Sequence, residues 1–396
     1  MGYNEKAFAL GSRRSIIREI FEYSKQRAAQ IGAENVFDFS LGNPSVEPPK
    51  EVHNALKSLL ETEDQTTLHG YTSAQGDLTT RTIVAENINK RFNAGVTPNN
   101  IYMTCGAAAS LSICLKAIVN DGDECIVFAP FFTEYRVFVE NANAKLVISS
   151  PDNDLQIDLD DFKAKISEKT KAIIINSPNN PSGVVYTKEK IQNLCKILND
   201  KQKEYGHEIY LICDEPYREL VYSDVEVPYL MNYYDNTLVC YSFSKSLSLP
   251  GERIGYIAVN PKMQDSNNVY LAVCGAGRSL GYVCAPSLFQ KVIACCIDAK
   301  VNIDAYKKNR DLLYENLVKF GFNCVKPDGA FYLFVKSPDG DAFSLYEKAK
   351  EHEILLVPCD DFGVKGYVRI AYCVDYDRIY NSLPQFELLA KEFGLI

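Results

Sequence analysis

The sequence predicts an α/β protein with a large domain and a second, smaller domain. The chain has 396 residues, which exceeds the roughly 250–300 residues at which a single hydrophobic core usually stops growing. Helical and strand patterns alternate through the middle of the chain, as in folds built around a parallel sheet. After Pro286 the pattern changes to a long helical stretch, Ser287 to Lys319, followed by short strands near Phe331–Val335 and Tyr367–Tyr372. The second domain is therefore expected there.

The elements of the middle region follow from their residue patterns. Apolar residues recur at helical spacing in Ala107–Val119 and Lys188–Gln202. Short apolar runs that end in polar residues predict four strands, Glu124–Ala129, Ala172–Asn176, Ile209–Cys213 and Thr237–Tyr241. In open parallel sheets, ligands bind outside the carboxyl ends of the strands. The polar segments that follow these strands are therefore the candidate site.

Composition and charge exclude several classes of partner. The formal net charge is −9 and no basic stripe is present, which argues against nucleic acid. No apolar run approaches the ~20 residues that a bilayer crossing needs, and the N-terminus lacks a signal-peptide pattern. The 13 cysteines lie mostly in apolar segments without a Cys-x-x-Cys pair, and the four histidines are scattered. We expect a cytoplasmic protein with reduced thiols and no metal site.

A lysine follows the last of the four strands, in a serine-rich segment. Lys245 lies three residues after Ser242 and eight before Arg253. Desolvation at the end of a buried strand lowers the pKa of a lysine and makes its amine nucleophilic toward an aldehyde. Serine hydroxyls and an arginine fork suit a phosphate. A solvated surface lysine is the alternative, and this segment alone does not decide between them.

A carboxylate directly follows the strand Ile209–Cys213. A pyridine ring bound at the strand ends needs an anion against its nitrogen, and Asp214 is the candidate. Tyr217, three residues later, reaches the same side if a helical turn follows. The alternative for Asp214 is a helix N-cap at a strand-to-helix junction. This segment alone leaves both interpretations open.

Two further segments add to the pattern. Asn176–Gly183 follows another strand, and taken alone its residues predict only a turn. Gly106, Ala107 and Ala108 open a predicted helix with small side chains, so that a phosphate can approach its backbone N–H groups. Small residues at a helix start are also ordinary packing. These segments gain meaning only beside Asp214 and Lys245.

Together, these motifs resemble the fold-type I aminotransferases of class I/II, the group that contains aspartate aminotransferases and uses pyridoxal 5′-phosphate (PLP). The resemblance runs from Leu41-Gly42-Asn43-Pro44 to Arg369. It implies a large domain with a mostly parallel seven-stranded sheet flanked by helices, and a smaller α/β domain built from both chain ends. We place the N-terminal arm and part of the small domain at 1–45, the large cofactor-binding domain at 46–286 and the rest of the small domain at 287–396.

The resemblance implies a role for each matching residue. Lys245 resembles the lysine that carries the cofactor and moves the substrate proton, Asp214 the partner of the ring nitrogen, and Tyr217 a ligand of the ring's phenolate oxygen. The positions that match cofactor-binding residues are Gly106, Ala107, Ala108, Phe132, Asn180, Asp214, Tyr217, Ser242, Lys245, Arg253 and Tyr71. Among them Phe132 matches the aromatic residue stacked on the cofactor, and Tyr71 the tyrosine that reaches the phosphate of a neighbouring subunit. A homodimer with shared active sites is implied.

The resemblance is less informative about the substrate. Arg369 and Gly42 match the residues that bind the α-carboxylate of an amino acid, together with Asn180. Some relatives hold a second carboxylate with a lysine in the phosphate-binding segment, but the matching residue here is Ala108. Others use an arginine of the partner subunit, and Arg278 lies in a comparable place. A solvated arginine is equally compatible with that position.

The function expected from these residues is transamination between an amino acid, with aspartate favoured, and a 2-oxo acid. A carbon–sulfur β-lyase on the same fold is an alternative, because a fold does not fix the reaction. An aminotransferase for neutral or aromatic amino acids is another. A non-enzymatic sensor domain of a regulator is weakly supported, since the chain shows no basic DNA-binding helices.

Overall fold

The chain forms two compact units in a computed structural model that describes residues 2–12, 16–222 and 225–396. The small unit contains Met1–Ser45, Asp304–Pro327 and Phe331–Ile396, and the large unit contains Val46–Ile303 and Asp328–Ala330. Within the described ranges, no helix has both the length and the apolar character needed to cross a bilayer.

The secondary structure follows in chain order. The strands are β1 (Phe37–Asp38), β2 (Ile101–Thr104), β3 (Glu124–Phe128), β4 (Lys145–Ser149), β5 (Thr170–Asn176), β6 (Tyr210–Asp214), β7 (Thr237–Ser242), β8 (Gly255–Val259), β9 (Asn323–Cys324), β10 (Tyr332–Lys336), β11 (Ile354–Leu355), β12 (Val357–Pro358) and β13 (Tyr367–Ala371). The α-helices are α1 (Glu5–Ser12), α2 (Ile16–Ile31), α3 (Lys50–Thr62), α4 (Gln65–His69), α5 (Leu78–Phe92), α6 (Ala107–Ile118), α7 (Glu134–Asn141), α8 (Leu159–Lys165), α9 (Lys188–Tyr205), α10 (Phe243–Ser246), α11 (Ser266–Ser279), α12 (Ser287–Cys296), α13 (Ile303–Lys319), α14 (Ala342–Glu351) and α15 (Tyr376–Glu392).

The large unit is built on a seven-stranded sheet in the order β2-β8-β7-β6-β5-β3-β4. Strands β4, β3, β5, β6 and β7 pair in parallel, and β8 pairs antiparallel with both β7 and β2. Every residue of β3, β6, β7 and β8 is buried, as expected for a sheet covered on both faces by helices. The predicted α/β class and the mostly parallel sheet are therefore confirmed.

The helix α9 illustrates how local sequence sets the elements around this sheet. The side chain of Thr187 accepts a hydrogen bond from the Lys190 amide at 3.2 Å and caps the first turn. Four residues at helical spacing are buried, Ile191, Leu194, Cys195 and Leu198. Gly206 ends the helix at φ 72°, a left-handed conformation that glycine adopts without strain. The prediction for Lys188–Gln202 placed this helix correctly and ended it one turn early.

The long helical stretch expected between Ser287 and Lys319 is two helices in the structure. Helix α12 packs against α3 and α5 of the large unit, and the chain leaves helical conformation after Cys296. Helix α13 begins at Ile303. The large unit extends to Ile303, beyond the boundary expected at residue 286, because the apolar face of α12 is buried within that unit.

The small unit contains a four-stranded antiparallel sheet in the order β12-β13-β10-β9 and the parallel pair β1-β11. The N-terminal segment joins this structure through main-chain hydrogen bonds. The amide of Phe39 donates to the Leu355 carbonyl at 3.0 Å, and the amide of Ala371 donates to the Phe39 carbonyl at 2.8 Å. The segment that leads to Gly42 is therefore fixed beside β13.

Candidate active site

The carboxyl ends of three adjacent strands bring the predicted polar residues of the large unit together. Asn176 at the end of β5 pairs with Asp214 at the end of β6, and Asp214 pairs with Cys240 of β7. The chain continues from β7 directly into α10, which carries Lys245. A parallel register thus places residues far apart in sequence at one edge of the sheet, where ligands bind in such folds.

Asp214 is buried and only half satisfied. The hydroxyl of Tyr135 donates to its Oδ2 at 2.5 Å, whereas its Oδ1 has no hydrogen-bond partner among the residues that the structure describes. Burial raises the pKa of Asp214 to about 7, the hydrogen bond from Tyr135 opposes the rise, and the neighbouring charge of Glu215 adds to it. Because a turn and not a helix follows the strand, Asp214 is not a helix cap, and that alternative is wrong.

Tyr135 is a site residue that the sequence reasoning missed. It lies in α7 and is buried, and its ring packs edge-on against Phe132, with 5.7 Å between the ring centroids. The contact with Asp214 joins residues 79 positions apart, so no local pattern reveals it. The one available signal was its place three residues after Phe132, on the same side of a helical turn.

The turn after β5 is held by its own amide side chains. Asn176 donates from Nδ2 to the Asp214 carbonyl at 2.9 Å, and its Oδ1 accepts from the Asn180 amide at 2.7 Å. The Nδ2 of Asn179 donates to the Pro130 carbonyl at 3.2 Å. Asn180 is buried. These bonds tie the turn to β6 and to the segment that precedes Phe132, so the cluster is more than a surface turn.

Lys245 stands on a single helical turn and not on an irregular loop. Ser242 caps this turn, with its Oγ accepting from the Ser244 amide at 3.2 Å. The residues around the lysine, Phe243, Ser244 and Ser246, are buried, whereas Lys245 itself is half-buried. A buried turn of this kind fixes the backbone from which the amine projects, which excludes a fully solvated surface lysine.

Arg253 and the start of α6 form a cradle suited to an anion. The Nη1 of Arg253 donates to the Ser244 Oγ at 3.4 Å and to the Pro250 carbonyl at 2.9 Å. Gly106 precedes α6 at φ 88°, and a Cβ there would lie 2.8 Å from the Arg253 Nη2. Arg253 itself has φ 51°, a strained conformation for a residue with a Cβ. Ser244 is the serine that contacts Arg253, whereas the Ser242 hydroxyl bonds to Ser244 at 2.8 Å.

These residues fit PLP on observations of the structure itself. Asp214 offers an unpartnered buried carboxylate oxygen, which suits a protonated ring nitrogen. Arg253, Ser244 and the backbone before α6 offer donors for a phosphate, and glycine at 106 leaves the space beside the guanidinium open. Lys245 supplies an amine at the same edge of the sheet. The chemistry of the donor set therefore agrees with the cofactor that the resemblance implies.

Other predicted residues of the large unit differ in their exposure to solvent. Ala107 is half-buried and Ala108 is exposed at the start of α6. Tyr217 is buried, but it lies in the turn after β6 and not in the helical turn considered from sequence. The Tyr71 side chain is 100% exposed, and Arg278 is exposed in the last turn of α11. In the described part of the chain, neither of the last two makes a side-chain hydrogen bond to the cluster.

Two of the three residues predicted to bind the α-carboxylate, Arg369 and Gly42, lie close together within the small unit. Arg369 is buried in β13, and its Nη2 donates to the Ser40 carbonyl at 2.6 Å. Its guanidinium lies over the rings of Tyr332 and Phe362, at 4.6 and 5.7 Å from their centroids. A Cβ at Gly42 would lie 2.0 Å from the Tyr332 hydroxyl, so glycine is required there. The aromatic contacts hold the guanidinium in one orientation.

Comparison with known proteins agrees with this arrangement. The sequence model of the family described as aminotransferase class I and II matches residues 34–381. A probable aspartate aminotransferase from Methanocaldococcus jannaschii is 32% identical over 382 residues, which cover 93% of this chain and 95% of that protein. Aromatic-amino-acid aminotransferase 2 of Thermococcus litoralis is 26% identical over 396 residues, covering 96% and 97% of the two chains.

Solved structures give the same result. The crystal structure of an aminotransferase from Eubacterium rectale superposes with a TM-score of 0.98 at 54% sequence identity and covers 100% of both chains. The aspartate aminotransferase of Thermus thermophilus, determined with maleate, superposes with a TM-score of 0.85 at 25% identity and covers 98% of this chain and 100% of that one. The sequence match and the shared fold together show that the chain belongs to the class I and II aminotransferases and is an aminotransferase.

Proposed function

We propose that this aminotransferase is PLP-dependent, carries its cofactor on Lys245 and takes aspartate as its favoured amino donor, with a 2-oxo acid as acceptor. The observation that carries the proposal is the half-satisfied carboxylate of Asp214 at the carboxyl end of β6. A buried polar atom without a partner is costly, and a cationic ring nitrogen is the group that would satisfy it.

The residues proposed to hold the cofactor each have a defined task. Asp214 would accept a hydrogen bond from the ring nitrogen and keep it protonated, and the positive charge would in turn lower the pKa of Asp214 from its raised value near 7. Tyr217 and Asn180 are proposed to bind the phenolate oxygen, and Phe132 to stack on the ring. The proposed phosphate ligands are Ser242, Ser244, Arg253, Gly106, Ala107 and Ala108, with Tyr71 of the partner subunit.

The chemistry then divides between the cofactor and the chain. PLP, when bound, supplies an aldehyde that condenses with amines and a ring that takes up the electron pair of the broken C–H bond. Lys245 would hold the cofactor, and its Nζ, once free, would take the α-proton of the substrate and return it. The buried turn that carries Lys245 keeps this amine within reach throughout.

Substrate orientation is proposed to depend on Arg369. Its guanidinium, held by Ser40, Tyr332 and Phe362, would bind the α-carboxylate through paired hydrogen bonds. Gly42 carries no side chain, so its backbone can lie against that carboxylate. Fixing the carboxylate fixes the direction of the α C–H bond, which raises the rate of proton transfer by positioning alone.

The preference for aspartate depends on a second cation and on a homodimer. Relatives named as aspartate aminotransferases support the preference, whereas Ala108 provides no cation at the phosphate-binding segment. We propose that Arg278 of the partner subunit pairs with the side-chain carboxylate of aspartate. The Tyr71 side chain is fully exposed, so its hydroxyl is accessible to the proposed second chain.

Reduction of the enzyme with borohydride, followed by peptide mapping, tests the attachment of PLP. Reduction makes the bond between the cofactor and its lysine permanent, and we expect a single modified peptide that contains Lys245. Lys245→Ala should lose the modification and nearly all turnover while keeping its melting temperature, because the side chain is not part of the core. Lys262→Ala serves as the matched control, because Lys262 follows the antiparallel strand β8 and lies at the opposite edge of the sheet. A cofactor adduct on any other lysine would refute the assignment.

The amino donor is tested by comparing aspartate and alanine in the native enzyme and in Arg278→Ala. If Arg278 binds the distal carboxylate, Arg278→Ala should raise the transition-state free energy for aspartate by about 3 kcal/mol or more and so lower kcat/KM for aspartate. The value of kcat/KM for alanine should change little. Equal losses for both substrates would remove Arg278 from the site. Release of pyruvate and ammonia from cystathionine, without transamination, would instead establish the β-lyase.

A further inference from the structure

A cavity separate from the candidate active site lies within the large unit, on the face of the sheet that is turned away from α6. It has a volume of about 450 Å³. Cys240 of β7 meets Cys114 of α6, with 3.6 Å between their sulfur atoms, and side chains of successive strand residues point to opposite faces. Tyr241, the next residue, therefore faces away from α6, and it lines this cavity.

Aromatic and aliphatic side chains form the walls of the cavity. The rings of Tyr241 and Tyr256 stack with 5.0 Å between their centroids and an interplanar angle of 16°. The remaining apolar walls come from Val84, Phe243, Leu247, Ile297, Ala299, Val301 and Ile303. Such walls suit a flat apolar body in the bound molecule.

One buried polar atom in the cavity wall has no partner. Ser246 is only 5% exposed, and within the described ranges its Oγ makes no hydrogen bond. The nearby Tyr241 hydroxyl donates to Glu219 Oε1 at 3.2 Å, and it interacts with Ser246 only weakly. A buried hydroxyl left unpaired carries a desolvation cost, and a polar group on a ligand in this cavity would remove it.

The charged groups of the lining favour an anion. They comprise three cations, Lys90, Arg91 and Lys300, and two anions, Glu219 and Asp298. Lys90 pairs with Asp298 at 3.0 Å on the exposed rim. Arg91 contacts Glu219 through Nη2 alone, at 2.7 and 2.8 Å, so among the described residues its Nε and Nη1 have no acceptor. A carboxylate would match these donors.

We propose that this cavity binds a small carboxylic acid with an aromatic or other flat apolar body, whose carboxylate contacts Arg91 and whose polar edge reaches Ser246. The site is separate from the proposed cofactor cradle. Phe243, Ser246 and Leu247 line the cavity, and Lys245 stands on the same helical turn. A molecule bound in the cavity therefore contacts the turn that carries Lys245, restricts its movement and so regulates the enzyme.

The test uses 3-phenylpropionate as the probe, because it has an aromatic body and a carboxylate but neither an amino nor a 2-oxo group. Binding is measured by calorimetry on the full-length, cofactor-loaded protein and on Arg369→Ala. The second protein removes the arginine proposed to bind carboxylates at the active site. We expect one molecule per chain to bind Arg369→Ala, so that failure of the cavity and failure of the proposed substrate site give different results.

Two variants locate the bound probe. Ala299→Phe fills the cavity and should abolish binding, whereas Ala164→Phe, at an exposed alanine of α8, is the matched control and should leave it unchanged. Ser246→Ala should weaken binding several-fold with a nearly unchanged melting temperature, because among the described residues the native hydroxyl has only a weak interaction to lose. A merely structural role for Ser246 would instead lower the melting temperature and leave the affinity alone.

The chemistry of the ligand is tested with a matched alcohol. The neutral 3-phenylpropan-1-ol should bind at least about tenfold more weakly than the acid, since it lacks the charge that Arg91 recognises. Equal affinity for the acid and the alcohol would overturn the carboxylate assignment. Absence of binding to Arg369→Ala at millimolar probe, or binding unaffected by Ala299→Phe, would overturn the site.

Discussion

Asp214 and Glu215 are consecutive buried carboxylates, and their surroundings differ completely. Glu215 binds Arg218 through both oxygens, with N–O distances of 2.5 Å. Arg218 uses its remaining donors on the carbonyls of Val227 and Pro228, each at 3.0 Å. Asp214 accepts a hydrogen bond from the Tyr135 hydroxyl on one oxygen, and its other oxygen has no hydrogen-bond partner among the described residues. The first group is complete within the protein, whereas the second is arranged for a partner that comes from outside.

The contrast separates two causes of burial for a charged group. A fully paired carboxylate contributes to the structure, and removing one member of the pair leaves an uncompensated charge. The half-paired carboxylate of Asp214 contributes to the structure only through its hydrogen bond with Tyr135. Its raised pKa reflects the cost of burying its charge, which a bound cation would reduce. Adjacent residues of one type can therefore be assigned to stability and to chemistry from their contacts alone.

The largest expected effect is on stability, at Glu215. Glu215→Gln should lower the free energy of unfolding by about 3–5 kcal/mol, because it leaves the Arg218 guanidinium buried without a counter-charge. Urea unfolding monitored by circular dichroism measures the change. The double variant Glu215→Gln with Arg218→Met removes both charges and should recover most of the loss. If the double variant is no more stable than Glu215→Gln, the charge pair is not what stabilises this segment.

In protein stripped of its cofactor, Asp214 should make the free energy of unfolding depend on pH. Its pKa in the folded chain is raised from 3.8 to about 7, so the folded state binds the extra proton between roughly pH 4 and 7. The free energy of unfolding therefore falls as pH rises through that window, by up to about 4 kcal/mol. Urea unfolding of the native chain and of Asp214→Asn isolates this contribution as their difference. A difference that does not vary with pH would contradict the raised pKa.

Turnover should depend on Asp214 far more than on a change that only alters packing. Asp214→Asn should lower kcat by about 10²–10³, the loss typical when a group that stabilises transition-state charge is removed. Its melting temperature should be unchanged or higher, since a buried charge is removed. Steady-state kinetics and thermal unfolding on the same samples measure both. Near-normal turnover would assign Asp214 a structural role like that of Glu215.

The smallest expected effect belongs to the Tyr135 hydroxyl. Tyr135→Phe removes the hydrogen bond that lowers the pKa of Asp214, so the carboxylate should hold the cofactor ring roughly tenfold less well. Titration with the cofactor, followed by its absorbance at several pH values, should show the loss of affinity. The fold should change little. Tyr234→Phe is the control, because that buried hydroxyl bonds to the Ile209 carbonyl at 2.6 Å, outside the site. Equal effects of the two changes would make Tyr135 a packing residue.

The sequence supports the fold and the proximity of the site residues, because both depend on patterns along the chain. Buried strands end in polar residues at Asn176, Asp214 and Ser242, and a parallel sheet must bring such ends together. The sequence did not reveal Tyr135, since its contact with Asp214 depends on where the fold places α7 relative to the end of β6. It also did not reveal that Ser244, and not Ser242, contacts Arg253, because both serines precede Lys245 in the same short segment and distance along the chain does not say which hydroxyl faces the arginine.

The break after Cys296 shows a second limit. Ser287 to Lys319 has apolar residues at helical spacing on both sides of residues 297–302, so periodicity alone predicts one continuous helix. In the structure α12 is buried against α3 and α5, whereas α13 belongs to the other unit. A change of packing partner decides where a helix ends, and a single sequence does not record that partner.

The link between β7 and β8 also bears on how relatives of this chain can vary in length. Ser242 pairs with Gly255 at the closed end of an antiparallel ladder, so both ends of the intervening segment are held in register. A Cβ at Gly255 would lie 2.3 Å from the Tyr241 carbonyl oxygen and 3.1 Å from the Gly106 Cα, which leaves the ladder no room to shift. An insertion or deletion between Lys245 and Arg253 would displace the arginine from the lysine it accompanies. The seven residues between them are thus a signature of chains that keep this cradle, and they mark the stretch where inserted loops will not be tolerated.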